Sequence, residues 1–169
     1  MTLVHTALLS EAQAIIEKYK LQKVNSSPKI YANEKIVVLI GGIGAQNTLD
    51  SLEYLFKNYT VSKAINIGIA GCGDTSKNIG GLFCTNHTLE NIEYILLKTV
   101  HTAQTQSENI TSLYDMEGQY FLEVTSEHLK DDEIYIFKVI SDYLDDTILK
   151  KDDVKKLIQN SMTKWCKYI

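Results

Sequence analysis

Apolar positions along the chain recur with two different periods, and the switches between them divide it into elements. Leu3-Val4-His5-Thr6-Ala7-Leu8-Leu9 is a short apolar run, and Ser10-Glu11 then opens Ala12 to Tyr19, where apolar residues fall at helical spacing. The pattern predicts strand, turn, helix. Asn25-Ser26-Ser27-Pro28 holds the only proline and marks a turn, after which Lys29 to Ala32 and Lys35 to Ile40 read as two strands. Ile36-Val37-Val38-Leu39-Ile40 is apolar at every position, which suits a central strand covered on both faces. Gly41-Gly42-Ile43-Gly44 ends that run, and Ala45 to Tyr59 follows with helical spacing of Leu49, Leu52, Leu55 and Phe56.

The same grammar returns in Ala64-Ile65-Asn66-Ile67-Gly68-Ile69-Ala70-Gly71-Cys72-Gly73, a second buried strand ending in glycines. Gly80 to Thr85 and Ile92 to Thr99 read as further strands, and the polar stretch Thr102 to Thr111 as a loop. Met116 to His128 reads as a helix and Glu133 to Val139 as a buried strand. Asp152 to Lys167 is an amphipathic closing helix with Val154, Leu157, Ile158, Met162 and Trp165 inward. Strands alternating with helices predict an α/β fold, a three-layer sandwich around a mostly parallel or mixed sheet. In such folds ligands gather at the loops beyond the carboxyl ends of the strands.

Composition narrows the picture further. A chain of 169 residues with 44% hydrophobic and 22% charged residues is sized for a single domain, residues 1–169, with a core of its own. A net charge of −4 and a pI near 5.6 offer no general footprint for phosphate backbones, so nucleic acid is not an expected partner. No apolar run is long enough to span a bilayer, and Met1 to Ser10 lack the character of a signal peptide; neither a membrane partner nor export is expected, and the expected location is cytoplasmic. Cys72, Cys84 and Cys166 are odd in number and widely spaced, which predicts buried reduced thiols rather than disulfides or a zinc site. All 17 basic residues are lysines, so no guanidinium fork exists to grip a phosphate.

The glycines and acids carry the candidate chemistry. Gly41, Gly42 and Gly44 allow close backbone approach or positive φ, and the helix that follows would favour an anion at its start, although tight-turn geometry alone is the first explanation of such a loop. Neither glycine loop is a Walker A motif, and Gly42-Ile43-Gly44 lacks the third glycine of a dinucleotide fingerprint. Asp115 and Glu117 stand where the polar stretch meets an apolar helix, as caps or dipole partners would. Asp142 follows the apolar strand Ile134-Tyr135-Ile136-Phe137-Lys138-Val139-Ile140, where α/β domains place catalytic groups and also ordinary loop aspartates. Glu11 sits in the corresponding place after the first strand, as a functional acid or an exposed first-turn residue. His5, His87, His101 and His128 show no metal spacing, and Tyr114, Tyr120 and Phe121 suit either base stacking or core packing.

The order of these segments is informative: Ala7-Leu8-Leu9-Ser10-Glu11-Ala12, Gly42-Ile43-Gly44, Asn66-Ile67-Gly68-Ile69-Ala70-Gly71, Asp115-Met116-Glu117-Gly118 and Val139-Ile140-Ser141-Asp142. Together they resemble the purine nucleoside phosphorylase and uridine phosphorylase superfamily, especially its methylthioadenosine/S-adenosylhomocysteine nucleosidase branch; the Asn-Ile-Gly-Ile-Ala-Gly wording is also similar to futalosine hydrolases. The resemblance runs from the N-terminus to about Asp146. It implies a phosphorylase/hydrolase-like sandwich, no cofactor or metal, a purine nucleoside as the small-molecule partner and a homodimer. It further implies catalytic roles for Asp142, as the general acid at N7 of the purine, and for Glu11, as the acid that positions and activates water. Glu117 would grip the ribose hydroxyls, with Met116 beside the sugar and Ser141, Ile69 and Gly71 in the binding wall.

Cleavage of an N-glycosidic bond passes through an oxocarbenium-like sugar, so carboxylates near the ribose and a proton for the departing base are what the chemistry needs. Phosphorylases of this kind hold phosphate with arginines, and this chain has none, so hydrolysis is the expected reaction. The chain also departs from the pattern. The stretch from Gly71 to Met116 is much shorter than in the superfamily, as if truncated by an internal deletion, and Leu96 to Thr102 leads to no aromatic at the expected stacking place. Ile69 stands where many members have a hydroxyl, and Asp115 and Gly118 are milder substitutions. Three readings follow: a minimal nucleosidase, a nucleoside-binding module without turnover, and a paralogue kept for interaction.

Overall fold

The apolar strands predicted from the sequence form the centre of one mixed sheet. A computed structural model of the chain describes residues 1–105, 112–145 and 149–169. In chain order the elements are β1 (Thr2–Thr6), α1 (Leu9–Tyr19), β2 (Gln22–Ser26), β3 (Lys29–Ala32), β4 (Ile36–Ile40), α2 (Ala45–Asn58), β5 (Lys63–Cys72), β6 (Leu82–Cys84) and β7 (Glu93–Tyr94). There follow β8 (Leu96–Thr99), β9 (Ser112–Asp115), α3 (Gly118–Ser126), β10 (Ile134–Asp142) and α4 (Lys151–Trp165). The sheet runs β2-β3-β4-β1-β5-β10-β6-β7, with β9 joining the end of β5 and β8 pairing β9. Its centre, β4-β1-β5-β10, is parallel throughout. β2, β3 and β6 run antiparallel to their inner neighbours, which makes the sheet mixed.

Alternation along the central strands buries both faces. Val4, Ile65, Ile67, Phe137 and Val139 pack with Ile15 of α1 and Ile158, Met162 and Trp165 of α4. Leu3, Val37, Leu39, Ala64 and Ile136 pack with Leu52 and Leu55 of α2 and Phe121 and Val124 of α3. Two helices on each face give the three-layer sandwich that the alternating pattern predicts. Among the described residues, no helix is long and apolar enough to cross a membrane.

Several local expectations change. The helix predicted from Met116 begins at Gly118, because Asp115 ends strand β9 rather than opening a helical turn. β2 and β9 escape the pattern because they are short and interleave few apolar residues, Gln-Lys-Val-Asn-Ser and Ser-Leu-Tyr-Asp. Of the predicted loop Thr102 to Thr111, positions 106–111 lie outside the described residues, as does Asp146. All three thiols are free; Cys72 and Cys84 are buried as expected, whereas Cys166, just beyond α4, is only half-buried.

Candidate active site

The parallel strands all end on one side of the sheet, and there the chain encloses a cavity of about 270 Å³. Ile69, Gly71, Met116, Glu117, Ser141 and Asp142, all expected site residues, line it. Segments far apart in sequence are thus brought together by three strand ends, those of β5, β9 and β10. Glu11 is the exception. It lies behind the wall, next to the cavity-lining Ala7, Leu8 and Ile69, and is 2% exposed rather than a solvated first-turn residue.

Among the described residues, the hydrogen bonds to Glu11 come from backbone amides. Its Oε2 accepts the amides of Ala7 at 3.0 Å and Leu8 at 2.8 Å, and its Oε1 accepts that of Ile69 at 2.9 Å. Three of the four carboxylate lone-pair sites are used, leaving one on Oε1. Gly68 makes room for this arrangement, since a β-carbon there would sit 2.9 Å from Glu11 Oε1 and 3.5 Å from Lys138 Nζ. Burial raises the Glu11 pKa; the amides of Ile69 and Leu8 and the charge of Lys138 pull it back, and Glu117 pushes it up again.

The glycine loop does attract an anion, and the anion is the protein's own. The amide of Gly44, the residue that caps α2 with φ +87°, donates to Glu117 Oε1 at 2.8 Å. This satisfies an orphan donor at the helix start and fixes a carboxylate in the cavity wall. Burial raises the Glu117 pKa, offset in part by Lys138 and the Gly44 amide.

Lys138 was the residue hidden from sequence reasoning. It sits in the middle of β10 and is 1% exposed. Its Nζ pairs with Asp115 Oδ2 at 2.7 Å. Asp115 also accepts the Thr99 hydroxyl at 2.6 Å and the Gly118 amide at 2.7 Å, so it caps α3 from a strand end while neutralising the lysine. Burial works against the Lys138 charge, but Asp115, Glu117 and Glu11 outweigh it and its pKa ends above the ordinary lysine value. The available signal was a lysine at an inward position of an otherwise apolar strand, which requires a buried counterion.

His5 on β1 and Asn66 on β5 are register partners on the face that Gly68 also uses, two residues further along β5. Asn66 Nδ2 and His5 Nδ1 are 2.8 Å apart. Burial, reinforced by Lys138, pushes the His5 pKa down to about 3, so the ring is neutral. Among the described residues, no group of three His, Cys, Asp or Glu side chains could hold a metal ion.

Asp142 ends β10 with both oxygens engaged. Oδ1 accepts the Leu144 amide at 2.9 Å, and Oδ2 lies 2.6 Å from Ser141 Oγ, which is also 3.2 Å from the Ala70 carbonyl. One hydroxyl proton serves those two contacts. When it points at Ala70, the short contact can carry a proton belonging to Asp142, so the pair accommodates the acid with or without its proton.

This arrangement of sheet and helices is the fold of solved methylthioadenosine/S-adenosylhomocysteine nucleosidases and of a futalosine hydrolase. Futalosine hydrolase of Helicobacter pylori strain 26695 superposes with a TM-score of 0.80 at 15% identity, over 99% of this chain and 95% of that one. The methylthioadenosine/S-adenosylhomocysteine nucleosidase of Neisseria meningitidis, solved with methylthio-immucillin-A, gives 0.78 at 15% identity over 95% and 94%. That of Helicobacter pylori, with butyl-thio-DADMe-immucillin-A, gives 0.81 at 13% over 99% and 96%. No family model and no curated protein sequence matches the chain.

Proposed function

We propose that the chain is a purine nucleosidase that hydrolyses the N-glycosidic bond of an adenosine-type nucleoside such as methylthioadenosine or S-adenosylhomocysteine. One observation carries this reading: Glu11, Glu117 and Asp115 are buried around a single ammonium, Lys138, beside a cavity that also presents Asp142. Three carboxylates facing one cation leave an excess of negative charge in a desolvated place. Such a cluster gains most from a ligand that becomes positive, as a ribosyl group does while its base departs.

In the proposed reaction Glu117 holds the ribose hydroxyls, and Met116 and Ile69 pack beside the sugar. The C1′–N9 bond breaks with its electron pair remaining on the base, while Asp142 delivers a proton to N7 through the side chain that Ser141 and the Leu144 amide orient. The oxygen of a water molecule bonds to C1′, and its proton passes to Glu11 through the lone pair left on Oε1. Reprotonation of Asp142 and loss of the proton from Glu11 complete the cycle. An acid or base placed in this way typically contributes about 10²–10⁴-fold in rate.

Water is the nucleophile in this reading. The chain has no arginine to grip a phosphate, and the cavity lining described holds acidic side chains, Asp115, Glu117, Asp142 and Asp145, and no basic one. A module kept only for binding has no use for a buried carboxylate with one lone pair to spare, which supports turnover over that alternative. A homodimer in the cytoplasm belongs to the same reading. Sedimentation of the purified protein tests the self-association.

The test of function is a panel containing methylthioadenosine, S-adenosylhomocysteine, adenosine, inosine and a futalosine-type nucleoside, followed for free base with and without phosphate. Base release independent of phosphate is expected. Release that requires phosphate would replace hydrolysis by phosphorolysis, and binding without release from any nucleoside would favour the binding module.

A further inference from the structure

A second cavity, of about 560 Å³, borders the opposite end of the sheet. Thr2 opens β1 and Ile36 opens β4, so it lies at the amino ends of strands whose carboxyl ends face the candidate active site. Tyr19 at the end of α1, with Cys166 and Ile169 beyond α4, completes its wall.

The two linings differ in sign. Asp115, Glu117, Asp142 and Asp145 stand in the first, whereas the described lining of the second holds Lys35 and no acid. Among the described residues, no carboxylate lies within ion-pair distance of Lys35. Lys18 adds positive charge that acts on the Cys166 sulfur, and Lys167 follows Cys166 in the chain. On a chain of net charge −4 this is a local reversal of sign.

Hydrogen bonds fix the wall in place. Asn33 Oδ1 accepts the amides of Lys35 and Ile36, each at 2.9 Å, and Asn33 Nδ2 donates to the Tyr19 carbonyl at 3.3 Å. The Thr2 amide donates to the Lys35 carbonyl at 2.9 Å. The turn between β3 and β4 is thereby tied to β1 and to the end of α1. Several donors line the space: the Lys35 ammonium, the second proton of Asn33 Nδ2, the Thr2 hydroxyl and the Tyr19 phenol. Burial, with the Cys166 thiol beside it, pushes the Tyr19 pKa up to about 12, so the phenol keeps its proton. Ile36 belongs to the core, and Ile169 and the Tyr19 ring pack against it, so apolar surface adjoins the donors.

We propose that this cavity is a second ligand site and that it takes a small organic carboxylate, one negative charge on an apolar body. The carboxylate meets Lys35 and the neutral donors, and the body lies against Ile36, Ile169 and the Tyr19 ring. One ammonium among neutral donors matches a single negative charge. A phosphate dianion calls for a second cation or a guanidinium fork, and this lining has neither. A wall already held by hydrogen bonds spares a ligand the cost of ordering it. None of these residues lines the strand-end cavity, so the site is independent of the nucleoside chemistry.

Cys166 makes occupancy observable, because it is half-buried while Cys72 and Cys84 are buried. Benzoate is titrated calorimetrically into the wild-type chain, Lys35→Gln and Lys23→Gln, with benzyl alcohol and phenyl phosphate as comparison probes. Alkylation of Cys166 by iodoacetamide, followed by peptide mass spectrometry, locates the bound probe. Benzoate should bind the wild type and slow Cys166 alkylation over the same concentration range. Benzyl alcohol should bind about fivefold more weakly, and Lys35→Gln should lose about fivefold in benzoate affinity, the scale of one partly screened charge. Lys23→Gln, on β2 and outside the lining, should bind as the wild type does. No benzoate binding, binding that leaves Cys166 alkylation unchanged, equal affinity for benzyl alcohol, or equal losses in the two lysine variants would each overturn the proposal. Tighter binding of phenyl phosphate than of benzoate would overturn the choice of a carboxylate.

Discussion

Lys138 Nζ lies 2.7 Å from Asp115 Oδ2, with 2% and 1% of the two side chains exposed. Removing one partner of such a pair leaves the other charge uncompensated in the interior. Lys138→Met should therefore lower unfolding stability by about 3–5 kcal/mol. Adding Asp115→Asn should recover a large part of that loss, because the amide oxygen can still accept from Thr99 or Gly118 without bearing a charge. Urea unfolding of both single variants and the double variant measures the coupling. Additive losses would mean that the pair is not an energetic unit.

Glu11 sets a pH dependence whose sign follows from its raised pKa. A carboxyl that holds its proton more tightly when folded adds stability below its ordinary value of 4.5 and loses that contribution as pH rises through the higher folded value. Activation of water needs the ionised form, so kcat/KM should climb over the same window, displaced above the ordinary carboxylate range. Glu11→Gln should abolish this acid limb and lower kcat by about 10²–10⁴-fold. An acid limb unchanged in the variant would assign it to another group.

His5 acts in the opposite direction. Its folded pKa of about 3 lies below the ordinary 6.5, so the stability it contributes is complete above 6.5 and drains away as pH falls toward 3. His5→Gln keeps an acceptor for Asn66 and cannot titrate. Its unfolding free energy should decline less steeply between pH 7 and pH 4 than that of the wild type. Parallel curves for the two proteins would remove His5 from the acid response.

The sheet was legible because its central strands are apolar on both faces: Ile36 to Ile40 and Ala64 to Ile67 could be read as buried from sequence alone. The acids were legible through their order, which is how Glu117 and Asp142 came to be expected in one wall. What sequence could not convey is which groups neutralise one another. Lys138 reads as an interruption in an apolar strand until β9 brings Asp115 to it. Glu11 reads equally as a functional acid or an exposed first-turn residue until the amide of Ile69, 58 residues away in sequence, reaches it. Leu144 gives no signal at all, because a left-handed backbone at leucine has no pattern to betray it.

The most direct test of the central claim is release of adenine from methylthioadenosine in phosphate-free buffer by the wild-type chain and by Asp142→Asn. Asparagine preserves an acceptor for the Leu144 amide but carries no acidic proton, so the fold should persist, with an unchanged circular dichroism spectrum. The account predicts release by the wild type and a loss of at least about 10²-fold in the variant. Equal rates in the two proteins, or no release by the wild type, would contradict it.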